Sequence, residues 1–403
     1  MHRHLLTYLL LFIAIAAKSA ALPLHAKGDS AAKEPLRVSV VTCAPGEEVY
    51  QLYGHSALRI QGATFDSVWN YGLFDFEEPN FIGRFVKGDL RYAVGGYPFS
   101  WFINGYQRDG RRVVQQVLNI SQAEAYKLRH SLQVNSLPAN RTYLYDYVRN
   151  NCATKVWDKV VENLNTDITY DKSIQYSTFR EAMRAYHSHY PWYSMGIDIA
   201  LAYPVDTLIT AADQRFLPDM TERQLSTARR VDNGEPLVLC TETLNAGMPD
   251  ATLPPTPWWE GPLFWACVVA ALAVIYAIIS VAKSRTYKIF EALFFAMIGL
   301  AGVVVAYLAL FSTHASSSPN LLLAWLNPLA LIVPICIWSY RTRPLVVAYM
   351  VANVVGIIFV GIIWPMQEQC GNAAFLPLLV ADVALAAPFV INYVKSRKIS
   401  YRS

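Results

Sequence analysis

The chain has 403 residues, 54% hydrophobic and 16% charged, and a mean hydropathy of +0.24, too apolar for an ordinary soluble enzyme of this length. Its net charge of +4 is too mild for a nucleic-acid binder, since most of the positive charge flanks apolar runs rather than forming a basic patch. Disorder, collagen-like sequence and a disulfide-dense miniprotein are excluded too.

In chain order, residues 1–26 read as a secretory signal peptide. His2, Arg3 and His4 precede an apolar run from Leu5 to Ala17, with small residues at Ser19–Ala21 and again at Ala26. Residues 27–250 follow as one exported α+β domain. Strand signals occupy Val38–Thr42, Ser56–Ile60, Thr64–Tyr71, Arg91–Val94 and Val113–Asn119, separated by Gly, Pro and Asp. Helical periodicity then runs over Ala123–Val134, Ala153–Leu164, Thr178–Tyr186 and Glu222–Val231, the first opened by Ser121 as N-cap with Glu124 three residues on. A Pro- and Trp-rich junction at 251–261 places indole rings where a membrane–water interface favours them. Five apolar stretches, 262–282, 289–311, 321–340, 344–364 and 374–394, are each long enough to cross about 30 Å of hydrocarbon, and a basic tail closes the chain at 395–403. Lys283, Arg285, Lys288, Arg341, Arg343, Lys395, Arg397, Lys398 and Arg402 fall in alternate connections, whereas 312–320 and 365–373 carry no Lys or Arg. The positive-inside rule thus predicts a cytoplasmic tail and an external domain, as the signal peptide does. Within the spans Asp382 is a functional candidate, with a helix–helix hydrogen bond to a group such as Asn353 as the plainer expectation. His314 opens an outer loop and could touch a substrate at the membrane surface.

Two sites in the exported domain carry chemistry. Gly54–Gln61, Gly62–Ala63 and Thr64–Tyr71 have the form of a hairpin with a two-residue type II′ turn. With Gln61 facing Thr64, Arg59 faces Asp66 and His55 faces Asn70, an amide able to orient the imidazole. The second site is Asn150–Thr154, which opens a helix. Asn151 is the expected N-cap and Cys152 lies in the first turn, where free N–H groups lower a thiol pKa; those of Cys152 and Ala153 could bind an oxyanion. A Cys at a helix start and a His on a strand are the minimum for nucleophilic acyl transfer, and also the pattern of half a disulfide and a surface imidazole. An oxidising compartment would favour a Cys43–Cys240 bond, leaving Cys152 free, although spacing does not fix connectivity. His130, His187 and His189 show no metal-ligand spacing, so zinc is not expected.

Thr42–Gly46, Gly54–Arg59, Asn70–Gly72, Phe74–Phe76, Pro79–Phe81, Tyr143–Asp146 and Asn151–Thr154, followed by Gly196–Asp198, Asp206, Phe216–Pro218, His314–Asn320 and Trp325–Pro328, together resemble the Lnb-type lipoprotein N-acyltransferases, whose exported domain was once called DUF4105. The resemblance covers nearly the whole mature chain. It implies a permuted papain-like (NlpC/P60-like) thiol-enzyme domain, with His preceding Cys, joined to an all-α five-helix transmembrane domain in the bacterial inner membrane. Cys152 and His55 would be catalytic, with Asn70 orienting; Asn151, Ala153, Tyr71 and His314 are candidate supporting or substrate-binding residues. The implied reaction moves a fatty acyl chain from a membrane phospholipid, through a Cys thioester, to the N-terminal cysteine amine of diacylglyceryl-modified apolipoproteins, without a cofactor or nucleic acid. The alternatives are a membrane-tethered cysteine peptidase or amidase acting on cell-wall peptides, and a non-enzymatic envelope binding module.

Overall fold

The computed structural model describes residues 34–74, 79–89, 91–247 and 256–400, with side chains described as far as 397. The expected signal peptide, Pro254 and Pro255 of the junction, and the last residues of the tail lie outside the described residues.

Strands β1 (Arg37–Cys43), β2 (His55–Gln61), β3 (Asp66–Leu73), β4 (Arg91–Pro98), β5 (Val113–Leu118), β6 (Thr142–Leu144) and β9 (Val238–Asn245) form one antiparallel sheet in the order β6-β4-β3-β2-β1-β5-β9. Two short strands, β7 (Ile168–Thr169) and β8 (Arg229–Arg230), pair beside it. The strand alternation divides side chains between two cores. Leu58, Ile60, Trp69 and Tyr71 meet helices α3 (Gln122–Asn135) and α4 (Cys152–Asn163) on one face. Ala57, Val68 and Val113 meet Phe99 and Phe102 of α2 (Phe99–Arg108) on the other. A short helix, α1 (Phe81–Lys87), joins β3 towards β4, and α5 (Phe179–Tyr186), α6 (Pro191–Ala200) and α7 (Pro218–Thr227) complete the head. The expected helix Glu222–Val231 begins earlier and ends earlier because Pro218 stands in its first turn, where its missing N–H costs nothing.

Two sequence expectations are corrected in the hairpin. Gln61 pairs with Asp66 and Ala57 with Asn70, a shift of two residues from the expected register. The turn tip moves to Ala63–Thr64, closed by Gly62 N–H donating to Phe65 O at 2.9 Å, while Gly62 lacks the positive φ of a type II′ turn. The Glu34 carboxylate accepts from the N–H groups of Ala63 and Thr64 and holds the tip there. Because the shift is even, each side chain keeps its face. Arg59 therefore still reaches Asp66 diagonally, at 2.8 and 2.6 Å.

Among the described residues, the C-terminal region contains four helices long and apolar enough to cross a membrane: α8 (Pro262–Ala282), α9 (Ile289–Leu310), α11 (Arg343–Ile363) and α12 (Phe375–Ser400). The third of the five expected helices, 321–340, is broken into two 3-10 turns and the short α10 (Ile332–Cys336). Pro328 and Pro334 supply no N–H and crowd the preceding turn. One face of the segment is buried, with Leu322, Trp325, Leu326, Ala330, Val333 and Ile337 all in the bundle core, which shelters its irregular backbone. Gly299 and Gly302 of α9 admit it: a Cβ at Gly299 would come within 2.7 Å of Leu331, and one at Gly302 would strike the Asn327 backbone.

The head rests on one end of this bundle. Ala202 N–H donates to Ser316 O (2.8 Å), Asn320 Nδ2 to Ile199 O (3.1 Å) and Arg184 to Gly371 O (2.9 Å). Asn372 donates to Asp198 (2.8 Å), which with Asp206 pairs the buried Arg180 at 2.9 and 2.7 Å. Both loops free of Lys and Arg thus touch the head, while Lys288 and Arg343 lie near each other beyond the opposite end. The broken segment joins the two ends, so the chain runs the length of the bundle five times, four of them as long helices.

Candidate active site

His55 is the first residue of β2 and follows Gly54, whose φ of +78° lets the chain turn into the strand beside the Cys43 carbonyl. Asn70 lies on β3, diagonally across, and its Oδ1 is hydrogen-bonded to His55 Nε2. An amide oxygen only accepts, so Nε2 carries the proton and Nδ1 keeps a lone pair. Asn70 Nδ2 donates in turn to Tyr97 Oη at 3.0 Å, which fixes the amide. Orientation of His55 by Asn70 thus survives the change of register.

Cys152 is the first residue of α4. Asn151 caps the helix as its spacing suggests: Oδ1 accepts from the N–H groups of Ala153 (3.0 Å) and Thr154 (3.1 Å), and Thr154 Oγ1 accepts from Asn151 N–H (2.9 Å). Its Nδ2 donates to Phe216 O at 2.7 Å, tying the cap to the rest of the head. The thiol lies close enough to the His55 imidazole, and to the N–H groups of Ser56 and Ala153, for each of them to favour its charged form. Gly72, at φ +91°, completes the wall; a Cβ there would stand 3.8 Å from Cys152 Cβ.

Burial opposes charge on both members of the pair, yet their mutual interaction prevails. The Cys152 thiol is pushed up by burial and pulled below its ordinary value by His55 and the two N–H groups, the net direction being down. His55 is pushed down by burial and raised by Cys152 and Asn70, the net direction being up. Opposite shifts in contact favour a thiolate–imidazolium pair. Cys43, paired with His55 across β1 and β2, shows the contrast: burial drives its thiol up to about 12, although Arg111 and a hydrogen bond to Tyr106 oppose this.

The other candidates separate. Tyr71 points to the opposite face, packs edge-on against Tyr143 and donates to Asn135 Oδ1 at 2.7 Å. The Ala153 N–H donates to Asn151 Oδ1 at 3.0 Å and lies near enough to the sulfur to favour its charged form. His314 Nε2 donates to Phe85 O at 2.8 Å, holding α1 against the outer loop. Asp382 is fully buried and accepts from Asn353 (2.7 Å) and Trp325 Nε1 (3.1 Å), a contact between bundle segments. All six cysteines are free. Cys43 lies opposite Val113 and Cys240 opposite Val117, on the two sides of β5 and four rungs apart, too far to bridge.

Sequence reasoning missed Tyr97, because Gly95–Gly96 reads as the end of β4, and Ser56 N–H and Gly72, which carry no chemical signal of their own. Among the described residues no group of three or more His, Cys, Asp or Glu could hold a metal ion.

A helical bundle with four long apolar spans, carrying a sheet-based head with a half-buried cysteine–histidine–asparagine cluster, defines a membrane protein with a thiol site. Residues 28–185 match the Lnb N-terminal periplasmic domain and residues 256–397 the Lnb transmembrane domain. The two cover most of the chain in the order of the Lnb-type architecture, and the chain belongs to that family. No curated protein and no solved structure matches it.

Proposed function

We propose that the protein is a cysteine-dependent N-acyltransferase that moves a fatty acyl chain from a membrane phospholipid to the N-terminal cysteine amine of diacylglyceryl-modified lipoproteins. One observation carries the reading: the His55–Cys152 pair, its thiol pulled down and its imidazole pushed up, in an Lnb periplasmic domain resting on an Lnb transmembrane domain. The Cys152 thiolate attacks an ester carbonyl of the phospholipid, and the tetrahedral intermediate expels the lysophospholipid oxygen, which takes the proton from His55. The lipoprotein amine then attacks the thioester, gives its proton back to His55 and releases the thiolate. Asn70 holds the ring through both steps, and the Cys152 N–H is the oxyanion donor we assign. The domain is a permuted papain-like one in this reading, with the order His, Asn, Cys along the chain. The head faces the periplasm and the tail the cytoplasm of the inner membrane, so both lipid substrates meet the site in one plane.

The test is acylation of the full-length protein by phospholipid vesicles without lipoprotein. One acyl chain on Cys152, released by neutral hydroxylamine, with lysophospholipid formed before any acceptor is added, is expected. Absence of an acyl-enzyme and of early lysophospholipid would sink the thioester route. A wall peptidase would ignore phospholipid.

A further inference from the structure

Helix α1 is apolar where a helix of a soluble head should be polar. Ile82 is 77% exposed and Phe85 49% exposed, although both belong to a seven-residue helix on the surface. The helix is hydrogen-bonded to the membrane domain. Thr313 N–H donates to Lys87 O at 2.8 Å and His314 to Phe85 O at 2.8 Å. Gly88, at φ +86°, packs so closely that a Cβ would meet Thr313 Oγ1 at 2.7 Å. Thr313 lies just past Leu310 and Phe311, the exposed apolar end of the long helix α9, at 67% and 69%. The outward face of α1 therefore continues the lipid-facing surface of the bundle. Lys87 in its last turn is exposed beside Arg84, which pairs with Asp89 at 3.6 Å.

From α1 a row of rings leads inward. Phe81 stacks on Phe74 (centroids 6.0 Å apart), Phe74 on Tyr92 (4.9 Å), and Tyr92 lies against Tyr145 (4.3 Å). Phe74 is two residues beyond Gly72, the residue that walls Cys152, and Tyr145 lies within electrostatic reach of the sulfur.

We infer that α1 rests in the outer surface of the bilayer with Ile82 and Phe85 among the lipid chains, and that the row Phe81, Phe74, Tyr92 and Tyr145 takes up one acyl chain of a phospholipid and leads it to Cys152. The second half rests on the acyltransferase reading above; the first does not. Two-carbon units have no directional chemistry to recognise, so a continuous apolar lane from the bilayer to the sulfur is what a chain-bearing donor needs.

The test avoids catalysis. Full-length Cys152→Ala protein is reconstituted in phosphatidylethanolamine–phosphatidylglycerol vesicles doped with a phospholipid bearing a photoreactive group within one acyl chain, with no lipoprotein present. After irradiation, lipid adducts in the peptides that carry Ile82, Phe85 and Tyr92 are expected, with none at Leu239, which is 64% exposed on β9 at the far end of the sheet. Ile82→Asp should lower the adducts at Phe85 and Tyr92 about tenfold, the change expected from losing one buried aliphatic side chain. Adducts confined to α8, α9, α11 and α12, or equal labelling at Leu239, would overturn the membrane contact. Labelling of Phe85 without Tyr92 would overturn the lane. Because no acyl transfer is read, lipid contact survives even if Cys152 never forms a thioester, and the two claims fail separately.

Discussion

The head and the bundle each bury an ionisable group among polar partners, and the difference between the two clusters lies in what the partners can do with a proton. Asp382 is fully buried between Asn353 Nδ2 and Trp325 Nε1. Both are donors that never take a proton, so the cluster is closed and clamps the broken segment to α11 and α12. Cys152 faces His55, a base able to take up a proton, while Asn70 holds one of the ring nitrogens. Cys43, one strand away, sharpens the lesson, because burial without a partner of that kind leaves a thiol protonated and inert. Burial alone therefore does not mark a reactive group.

The comparison can be broken most directly at Cys152. Cys152→Ala is expected to abolish lipoprotein N-acylation, read by mass spectrometry of N-terminal peptides, with thermal stability changed by less than about 1 kcal/mol. Normal acylation in that variant would remove the site from the head altogether. His55→Ala should lower the rate of Cys152 acylation by about 10²–10⁴-fold. It should also move the pH profile of Cys152 alkylation. With His55 present the thiolate persists below the ordinary thiol range, because the thiol is lowered and the imidazole raised. Without it, burial is the largest remaining influence, so alkylation should require higher pH; an unchanged profile would show that the helix start alone sets the thiol. Asn70→Ala removes one hydrogen bond to a ring that becomes charged, about 1.5–3 kcal/mol or roughly 10–100-fold in rate, with kcat falling more than KM rises. In the bundle, Asp382→Ala leaves two buried donors unpaired and should cost about 1–3 kcal/mol for each in detergent-solubilised unfolding. Activity per folded molecule should stay near normal. A loss of activity with unchanged stability would make Asp382 part of the chemistry and dissolve the contrast.

Much of the site was legible because it is built from local devices. Asn151 and Thr154 announce a helix start, which puts Cys152 in the first turn, and Gly54 announces the strand start that presents His55. The hairpin register was read two residues off, since Gly62 looked like the turn while Glu34, distant in sequence, holds Ala63 and Thr64 instead. Asn70 kept its role because strands alternate with period two and an even slip preserves faces. Tyr97, Ser56 N–H and Gly72 were invisible, since nothing in their neighbours says which face of which strand meets α4. The third apolar stretch, 321–340, is long enough for a helix and contains Pro328 and Pro334, but whether a proline kinks a span or breaks it depends on what shields the freed backbone.

The sequence by itself determined the two regions, the apolar stretches, the five strands of the first half, and the placing of Cys152 at a helix start and His55 on a strand, because patterning, capping and turn chemistry act over a few residues. Tertiary structure decided the rest. It set the hairpin register, put β9 beside β5, kept Cys43 and Cys240 apart, enclosed Asp382, and seated α1 on the loop of His314. Those outcomes depend on which distant segments come to share a core, and short-range propensity carries no information about contacts between residues that far apart in the chain.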